Sequence, residues 1–180
     1  MRRRAFLAGT VAASTGLAGC GDVPGSAVTT STDSSGPPRL HADGAWLVDP
    51  DGEKVTLRGV NVVDPVWGTT NADAHGKDYW ETIELATDDS EGWYTDVIRV
   101  PIPPDKVAEV GLETMLSAYL DRVVELTRDR GVYVILDYHA IARYDSDEID
   151  QRLRGFWREV APRYAGESHV LYELFNEPTR

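Results

Sequence analysis

Side chains that can exchange protons or bind polar groups follow four apolar segments of this 180-residue sequence. A carboxyl group can give or take a proton, a guanidinium can hold an anion, and imidazole and amide groups can hydrogen-bond a substrate. Because each polar group comes where an apolar run ends, the segments themselves must position this chemistry. In chain order the residues are Asn61 and Asp64, then Arg99, then Asp137 and His139, then Asn176 and Glu177.

The four apolar segments predict four β-strands in a regular rhythm. They are residues 59–63, 97–101, 132–136 and 170–175, and their starts are 38, 35 and 38 residues apart. Taken together, these runs are rich in β-branched residues, which favour strands. The spacing leaves room for one helix and its loops between successive strands. We therefore expect strand–helix units and a parallel sheet covered by helices.

Apolar residues at intervals of three and four predict the intervening helices. The pattern is clear over residues 111–130, where Gly131 provides a C-terminal stop, and over residues 147–165. A weaker helix is predicted within residues 78–88. We interpret these apolar stripes as core. Ahead of the first strand, residues 45–48 and 54–57 flank a Pro-Asp-Gly turn and predict a hairpin.

Two architectures fit alternating strands and helices: an open doubly wound sheet and a (β/α)8 barrel. The sequence has no Gly-x-Gly-x-x-Gly or Walker loop after any predicted strand, which weakens the nucleotide-binding sheet. Polar residues at the carboxyl ends of the strands are typical of a barrel active site. An open sheet uses the same ends, so this pattern alone does not separate the two.

The first 38 residues have the composition of an export signal followed by a flexible tether. Residues 1–20 combine three Arg, a short apolar run and Leu-Ala-Gly-Cys, which predicts a twin-arginine lipoprotein signal with Cys20 as the lipidated residue. Residues 21–38 are rich in Ser, Thr, Gly and Pro and predict a flexible tether. We expect the globular domain to occupy residues 39–180. The alternative for the N-terminus is an ordinary helix with an isolated Cys.

Composition excludes several classes of protein. Hydrophobic residues make up 42% of the chain, so wholesale disorder is excluded. There are 18 basic and 30 acidic residues, and this net charge of −12 argues against a nucleic-acid partner. The single Cys excludes a disulfide framework. The acidic excess suits solubility in high salt, although it equally fits an ordinary acidic domain.

The strand-end motifs resemble those of one enzyme family. The segment Val170–Pro178 is an apolar strand that ends in Asn-Glu-Pro, which resembles the fourth strand of retaining glycosidases built on the (β/α)8 barrel. Residues 57–61, 98–101 and 136–139 are similar to the first three strands of glycoside hydrolase family 5, in the same order. Over about residues 40–180, the chain most resembles the endo-β-1,4-glucanases (cellulases) of that family.

This resemblance implies a role for each of four residues. Glu177 would be the acid/base that protonates the leaving oxygen and then activates water. Asn176 would hydrogen-bond the sugar 2-hydroxyl, and His139 would hold another hydroxyl. Arg99 would lie beneath the nucleophile and keep it ionised. The structural alternatives are a surface carboxylate for Glu177, a pair with Glu173 for Arg99, and a packing role for His139.

Further polar and aromatic residues carry weaker signals. Asn61 fits a sugar-binding residue and a strand-end turn equally well. Trp67 and Trp93 would stack on sugar faces or simply pack against their neighbours. The remaining histidines show no metal-ligand spacing, so we assign no metal site, and the family resemblance implies no cofactor. These histidines are His41, His75 and His169.

A retaining glycosidase needs a second carboxylate about 5–5.5 Å from the first. In the family, that nucleophile is a Glu at the end of the seventh strand, whereas these 180 residues contain only four predicted barrel strands. A complete barrel usually takes about 250 residues. We therefore expect a truncated glycosidase, inactive alone, whose family substrate is a β-linked glucan or mannan. The alternative is a non-catalytic, lipid-anchored half-barrel that binds a polysaccharide or a protein.

Overall fold

The computed structural model describes residues 36–143 and 145–179. The predicted signal with Cys20, most of the predicted tether and the side chain of His75 lie outside the described residues. The strands are β1 (His41–Asp43), β2 (Trp46–Val48), β3 (Lys54–Val55), β4 (Gly59–Asn61), β5 (Val97–Ile102), β6 (Tyr133–Tyr138), β7 (Ile141–Arg143), β8 (Val170–Glu173) and β9 (Glu177–Thr179). The α-helices are α1 (Pro65–Thr70), α2 (Ala72–His75), α3 (Tyr79–Thr87), α4 (Pro104–Val110), α5 (Leu112–Thr114), α6 (Asp121–Asp129) and α7 (Asp147–Arg163).

A parallel sheet with strand order β4-β5-β6-β8 forms the centre of the described chain. All three pairings in it are parallel, and each strand lies beside the next predicted strand in sequence. The connections between these strands carry helices, as a parallel sheet requires. The predicted parallel sheet with helices is therefore present.

The two faces of this sheet differ in chemistry because successive side chains of a strand point to opposite faces. Even-numbered residues of β5 and β6 are apolar and buried in the core cluster, together with residues of α3, α6 and α7. Odd-numbered positions include Arg99, Asp137 and Glu173 on three adjacent strands. The strand parity thus places these three charged residues on one face, opposite the face that packs against the helices.

Local sequence signals account for where several helices begin and end. Asp78 caps α3 and forms a reciprocal capping box with Glu81. Gly131 follows α6 with a φ of 67°, which is the left-handed conformation that glycine adopts most readily. The predicted helix over 111–130 is present, but its middle, Met115–Leu120, is a π-helix. In that segment Met115 and Leu120, five residues apart, are both fully buried.

Some boundaries differ from the prediction. The fourth parallel strand ends at Glu173 rather than at residue 175, because the chain turns at Leu174–Asn176 and enters β9. Strand β9 then pairs in parallel with β7. Helix α4 was not predicted, since its seven residues begin with Pro104 at the first turn and carry no long apolar stripe.

The N-terminal segment lies at the end of the sheet where the strands begin. Strands β1, β2 and β3 form an antiparallel sheet, three strands where the sequence predicted two. Just before them, the Pro37 carbonyl accepts a hydrogen bond from Ser168 Oγ at 2.6 Å, and the Pro38 carbonyl accepts one from Tyr133 Oη at 2.7 Å. These contacts attach the start of the domain to the opposite end of the sheet from the polar strand ends.

None of the helices among residues 36–143 and 145–179 has the length and apolar character needed to cross a bilayer.

We expect Gly59→Ala to destabilise the fold by about 1–3 kcal/mol or more, because a Cβ at position 59 would overlap the backbone carbonyl of Val97 on the adjacent strand. Gly155→Ala is the matched control, since that glycine is exposed within α7 and a Cβ there meets nothing within 4 Å. It should raise the unfolding free energy by up to about 1 kcal/mol. Urea unfolding measures both. Equal stabilities for the two variants would contradict the close packing of β4 on β5.

Candidate active site

The Arg99 guanidinium joins the ends of all four parallel strands. Its Nε and Nη2 donate to the two carboxylate oxygens of Glu173, at 2.7 and 2.9 Å. Nη1 donates to Asn61 Oδ1 at 2.8 Å. Nη2 also donates to Asn176 Oδ1 at 2.7 Å and lies 2.9 Å from Asp137 Oδ2. One cation therefore binds two carboxylates and two amides.

Strand register explains how residues far apart in sequence meet here. Asn61 is the register partner of Arg99 across β4 and β5, and Asp137 is the partner of Glu173 across β6 and β8. The β8 chain then turns, and the Asn176 backbone N–H donates to the Tyr138 carbonyl at 3.1 Å. That turn brings Asn176 back to the strand ends.

Electrostatics within the cluster follow from this geometry. The hydrogen bonds from Arg99 hold the pKa of the Glu173 carboxyl below its usual value, and the same bonds raise the pKa of Arg99. Burial raises the pKa of Asp137, whose side chain is 0% exposed, while its contacts with His139 and Arg99 oppose that rise. Arg99 is thus held as a cation between two acids that differ in their exposure to solvent.

His139 is attached to the cluster through Asp137. Its Nδ1 lies 2.6 Å from Asp137 Oδ2, the same oxygen that Arg99 approaches. The other oxygen, Oδ1, is buried and has no hydrogen-bond partner among the described residues. His139 also lines a largely apolar cavity of about 750 Å³ between α4 and α7.

Glu177 lies beside the cluster on an exposed strand. Its backbone N–H donates to the Ala140 carbonyl at 3.0 Å, and it is the register partner of Ile141. The side chain is exposed to solvent. Its negative charge contributes to the raised pKa of Arg99, so the carboxylate lies within electrostatic reach of the guanidinium.

The structure brings together five of the residues selected from sequence: Asn61, Arg99, His139, Asn176 and Glu177. The Arg99–Glu173 pair, the structural alternative for Arg99, is present. Asp64 instead caps α1 by accepting from the Trp67 backbone N–H at 2.8 Å.

The aromatic candidates and a further histidine lie elsewhere. Trp67 and Trp93 are 36% and 53% exposed. His169 is fully buried, with Nε2 2.9 Å from the Val124 carbonyl, which fits a packing role. Within the part of the chain that the structure describes, no group of three or more His, Cys, Asp or Glu side chains is placed to hold a metal ion.

Sequence reasoning missed the part that Asp137 plays in this cluster. The available signal was parity, because Asp137 follows Ile135 and Tyr133 on the face that carries Arg99. The pattern alone did not show that one carboxylate oxygen contacts both Arg99 and His139.

A helix-covered parallel sheet with a polar cluster at the carboxyl ends of its strands defines an α/β protein of the kind that places its active site there. The family model for cellulase (glycosyl hydrolase family 5) matches residues 48–180. The chain therefore belongs to glycoside hydrolase family 5.

The relatives that this chain matches are longer than it. Endoglucanase E-5 of Thermobifida fusca is 29% identical over 163 residues, which cover 86% of this chain and 31% of that protein. Endoglucanase A of Butyrivibrio fibrisolvens is 31% identical over 145 residues, covering 78% of this chain and 32% of that protein. The chain thus spans about a third of the length of these relatives.

Solved structures show the same fold over a similar region. The β-glucanase SdGluc5_26A of Saccharophagus degradans, solved in its native form and in complex with cellotetraose, is 29% identical with a TM-score of 0.64. The match covers 79% of this chain and 43% of that chain. The catalytic domain of Thermobifida fusca endoglucanase Cel5A, also solved with cellotetraose, is 29% identical with a TM-score of 0.58 and coverages of 78% and 43%.

We expect Glu173→Gln to lower the unfolding free energy by about 1 kcal/mol at neutral pH, allowing for solvent screening of a side chain that is 34% exposed. Since the folded-state pKa of Glu173 is lowered, its stabilisation is present above the usual value of 4.5 and is lost as pH falls through the folded-state pKa. The difference between wild type and variant should therefore shrink below about pH 4.5.

Urea unfolding at several pH values measures this difference. In an Arg99→Lys background the effect of Glu173→Gln should be smaller, because a single ammonium cannot form two parallel bonds to a carboxylate. A difference that is constant from neutral to acidic pH would show that the ion pair does not stabilise the fold.

Proposed function

We propose that residues 39–180 form the first half of a retaining β-glucanase barrel, with Glu177 as the acid/base. The observation that carries the proposal is the Arg99 cluster, which gathers polar groups at the carboxyl ends of β4, β5, β6 and β8. The cluster also binds Asn176, the residue that precedes Glu177 in the sequence. The N-terminal antiparallel strands precede the first unit of that half-barrel. The family and the named activities of its relatives support this reading.

The chemistry assigns a role to each side chain. Cleavage of a glycosidic bond needs a proton on the leaving oxygen while positive charge develops on the sugar ring. Glu177 donates that proton and later takes one from water. Asn176 binds the 2-hydroxyl, and its orientation is set by the bond from Arg99 to its Oδ1. His139 and Asn61 bind other hydroxyls at the rim of the site.

Neither acid of the Arg99 cluster is suited to be the nucleophile. Both oxygens of Glu173 accept hydrogen bonds from Arg99, and Asp137 is fully buried. A nucleophile must instead reach the anomeric carbon from across the sugar, about 5–5.5 Å from Glu177. By the family resemblance this group is a Glu on the seventh barrel strand, so we expect residues 1–180 expressed alone to be inactive.

The proposed substrate is a β-glucan. Cellotetraose complexes of two family 5 structures that are 29% identical to this chain support it. A mannan remains the competing ligand, and comparison of cellotetraose with mannotetraose distinguishes them by calorimetry. The non-catalytic alternative, a half-barrel that binds polysaccharide, predicts binding heat from residues 1–180 and no turnover even when they are joined to a second barrel half.

The central test joins residues 1–180 to the second half of a family 5 endoglucanase barrel. We expect no glucanase turnover from the 180 residues alone and measurable turnover from the chimera. In the chimera, Glu177→Gln should lower cleavage of cello-oligosaccharides by about 10²–10⁴-fold, because general acid catalysis contributes about that much. For an aryl glycoside with a strongly acidic phenol, kcat/KM should fall far less, since that leaving group needs no proton and kcat/KM does not include the later attack of water that Glu177 assists as a base.

The control for this test is Glu167→Gln, because Glu167 pairs with Arg128 near the end of the sheet where the strands begin. In the chimera, that variant should leave the rate of cleavage of both substrates unchanged. Turnover by the isolated 180 residues that disappears in Glu177→Gln would contradict the proposed dependence on a later strand. Equal losses of kcat/KM on both substrates would contradict the acid/base role.

We also propose that the protein is exported by the twin-arginine route and attached to the cell surface through a lipid on Cys20. The Arg residues ahead of a short apolar run and the Leu-Ala-Gly-Cys segment that ends at Cys20 support this proposal. Cys20→Ser should move the protein from the membrane fraction to the soluble fraction and abolish labelling by radioactive palmitate. Membrane association that persists in Cys20→Ser would exclude the anchor.

A further inference from the structure

Asp137 has contacts that the proposed catalytic roles do not use. Its side chain is 0% exposed, at the carboxyl end of the central strand β6. A buried carboxylate is costly unless it is paired, and here a single oxygen, Oδ2, makes both contacts. Those contacts are 2.9 Å to Arg99 Nη2 and 2.6 Å to His139 Nδ1. Oδ1 is buried without a hydrogen-bond partner among the described residues.

This arrangement determines where the imidazole proton lies. An ionised carboxylate only accepts hydrogen bonds, and the guanidinium at 2.9 Å favours the ionised form. At 2.6 Å, His139 Nδ1 must therefore carry the hydrogen that lies between the two groups. In a neutral imidazole with a proton on Nδ1, Nε2 is an acceptor.

We propose that Asp137 is a positioning residue that holds His139 in the Nδ1–H tautomer, so that Nε2 accepts a hydrogen bond from a substrate hydroxyl. The assignment of that hydroxyl to a sugar rests on the proposed function, whereas the tautomer does not. Asp137 itself, being fully buried, does not touch substrate. Its charged neighbours are Arg99 on β5 and Glu173 on β8, and Arg99 binds both acids.

The same oxygen links the orientation of the imidazole to that of the guanidinium. Arg99 Nη2 contacts both Asp137 Oδ2 and Asn176 Oδ1. The proposed sugar-binding groups His139 and Asn176 are therefore connected through Asp137 and Arg99. Loss of the carboxylate at position 137 removes an acceptor from the His139 imidazole and from the Arg99 guanidinium at once.

Nitrogen-15 NMR of the labelled 180-residue chain tests the tautomer directly. Long-range proton–nitrogen spectra at about pH 8 distinguish Nδ1–H from Nε2–H in a neutral imidazole. The His139 signals are assigned by their absence in His139→Gln. We expect Nδ1–H in the wild type and loss of that pattern in Asp137→Leu. Asp137→Asn should retain it, because the amide oxygen can replace Oδ2 as acceptor.

Glu173→Gln is the matched control, since Glu173 belongs to the same cluster and its hydrogen bonds are to Arg99. It should leave the His139 tautomer unchanged. An Nε2–H tautomer in the wild type, or a pattern unchanged in folded Asp137→Leu, would overturn the proposal. If Asp137→Leu does not fold, the wild-type tautomer and its retention in Asp137→Asn decide the matter.

Addition of cellotetraose then separates this proposal from the proposed function. If cellotetraose shifts the His139 Nε2 resonance in the wild type but not in Asp137→Leu, the result supports both the positioning by Asp137 and the glucan site. An Nδ1–H tautomer with no response to cellotetraose supports the positioning by Asp137 and contradicts the glucan site.

Discussion

The contacts of the Arg99 guanidinium are the interaction on which the polar end of this sheet depends. One cation donates to Glu173 at the end of β8, to Asn176 just after it and to Asn61 on β4. The same cation lies against the buried Asp137 on β6. Without it, two acids that are register partners would face each other at the end of adjacent strands, and like charges in such positions destabilise a sheet. The guanidinium suits this role because its planar fork binds a carboxylate through two parallel bonds while further N–H groups remain for other partners.

Partial burial gives the cluster its chemical character. Arg99 is 22% exposed and Glu173 34% exposed, whereas Asp137 is fully buried. The pKa of Glu173 is lowered by its bonds to Arg99, and that of Asp137 is raised by burial, so two carboxylates at one strand end differ in their affinity for a proton. Both serve to hold cationic or proton-donating neighbours. Neither is available to attack a sugar, which is why the proposed chemistry assigns the proton transfer to the exposed Glu177 and the nucleophile to another strand.

Much of the fold was predictable because its elements depend on local pattern. The apolar runs specify β4, β5, β6 and β8, and the apolar stripe that is followed by a glycine specifies the helix before Gly131. The turn at Leu174–Asn176 was not predictable, because Leu174 and Phe175 continue the apolar pattern of β8 and only the pairing of β9 with β7 ends the strand. The π-helical segment was missed because the spacing of apolar residues around it also fits an α-helix, although Met115 and Leu120, five residues apart, are both buried.

The sequence by itself determined which residues share a face. Strand parity sets Arg99, Asp137 and Glu173 on one side of the sheet, and the family motifs identify Asn176 and Glu177 beside them. Tertiary structure decided the partners. Arg99 and Glu173 are 74 residues apart. The register of three strand pairings decided which carboxylates and amides lie close enough to bind the guanidinium. The contact of one Asp137 oxygen with both Arg99 and His139 likewise requires distances set by the pleat and the strand spacing, and no local pattern in the chain encodes such distances.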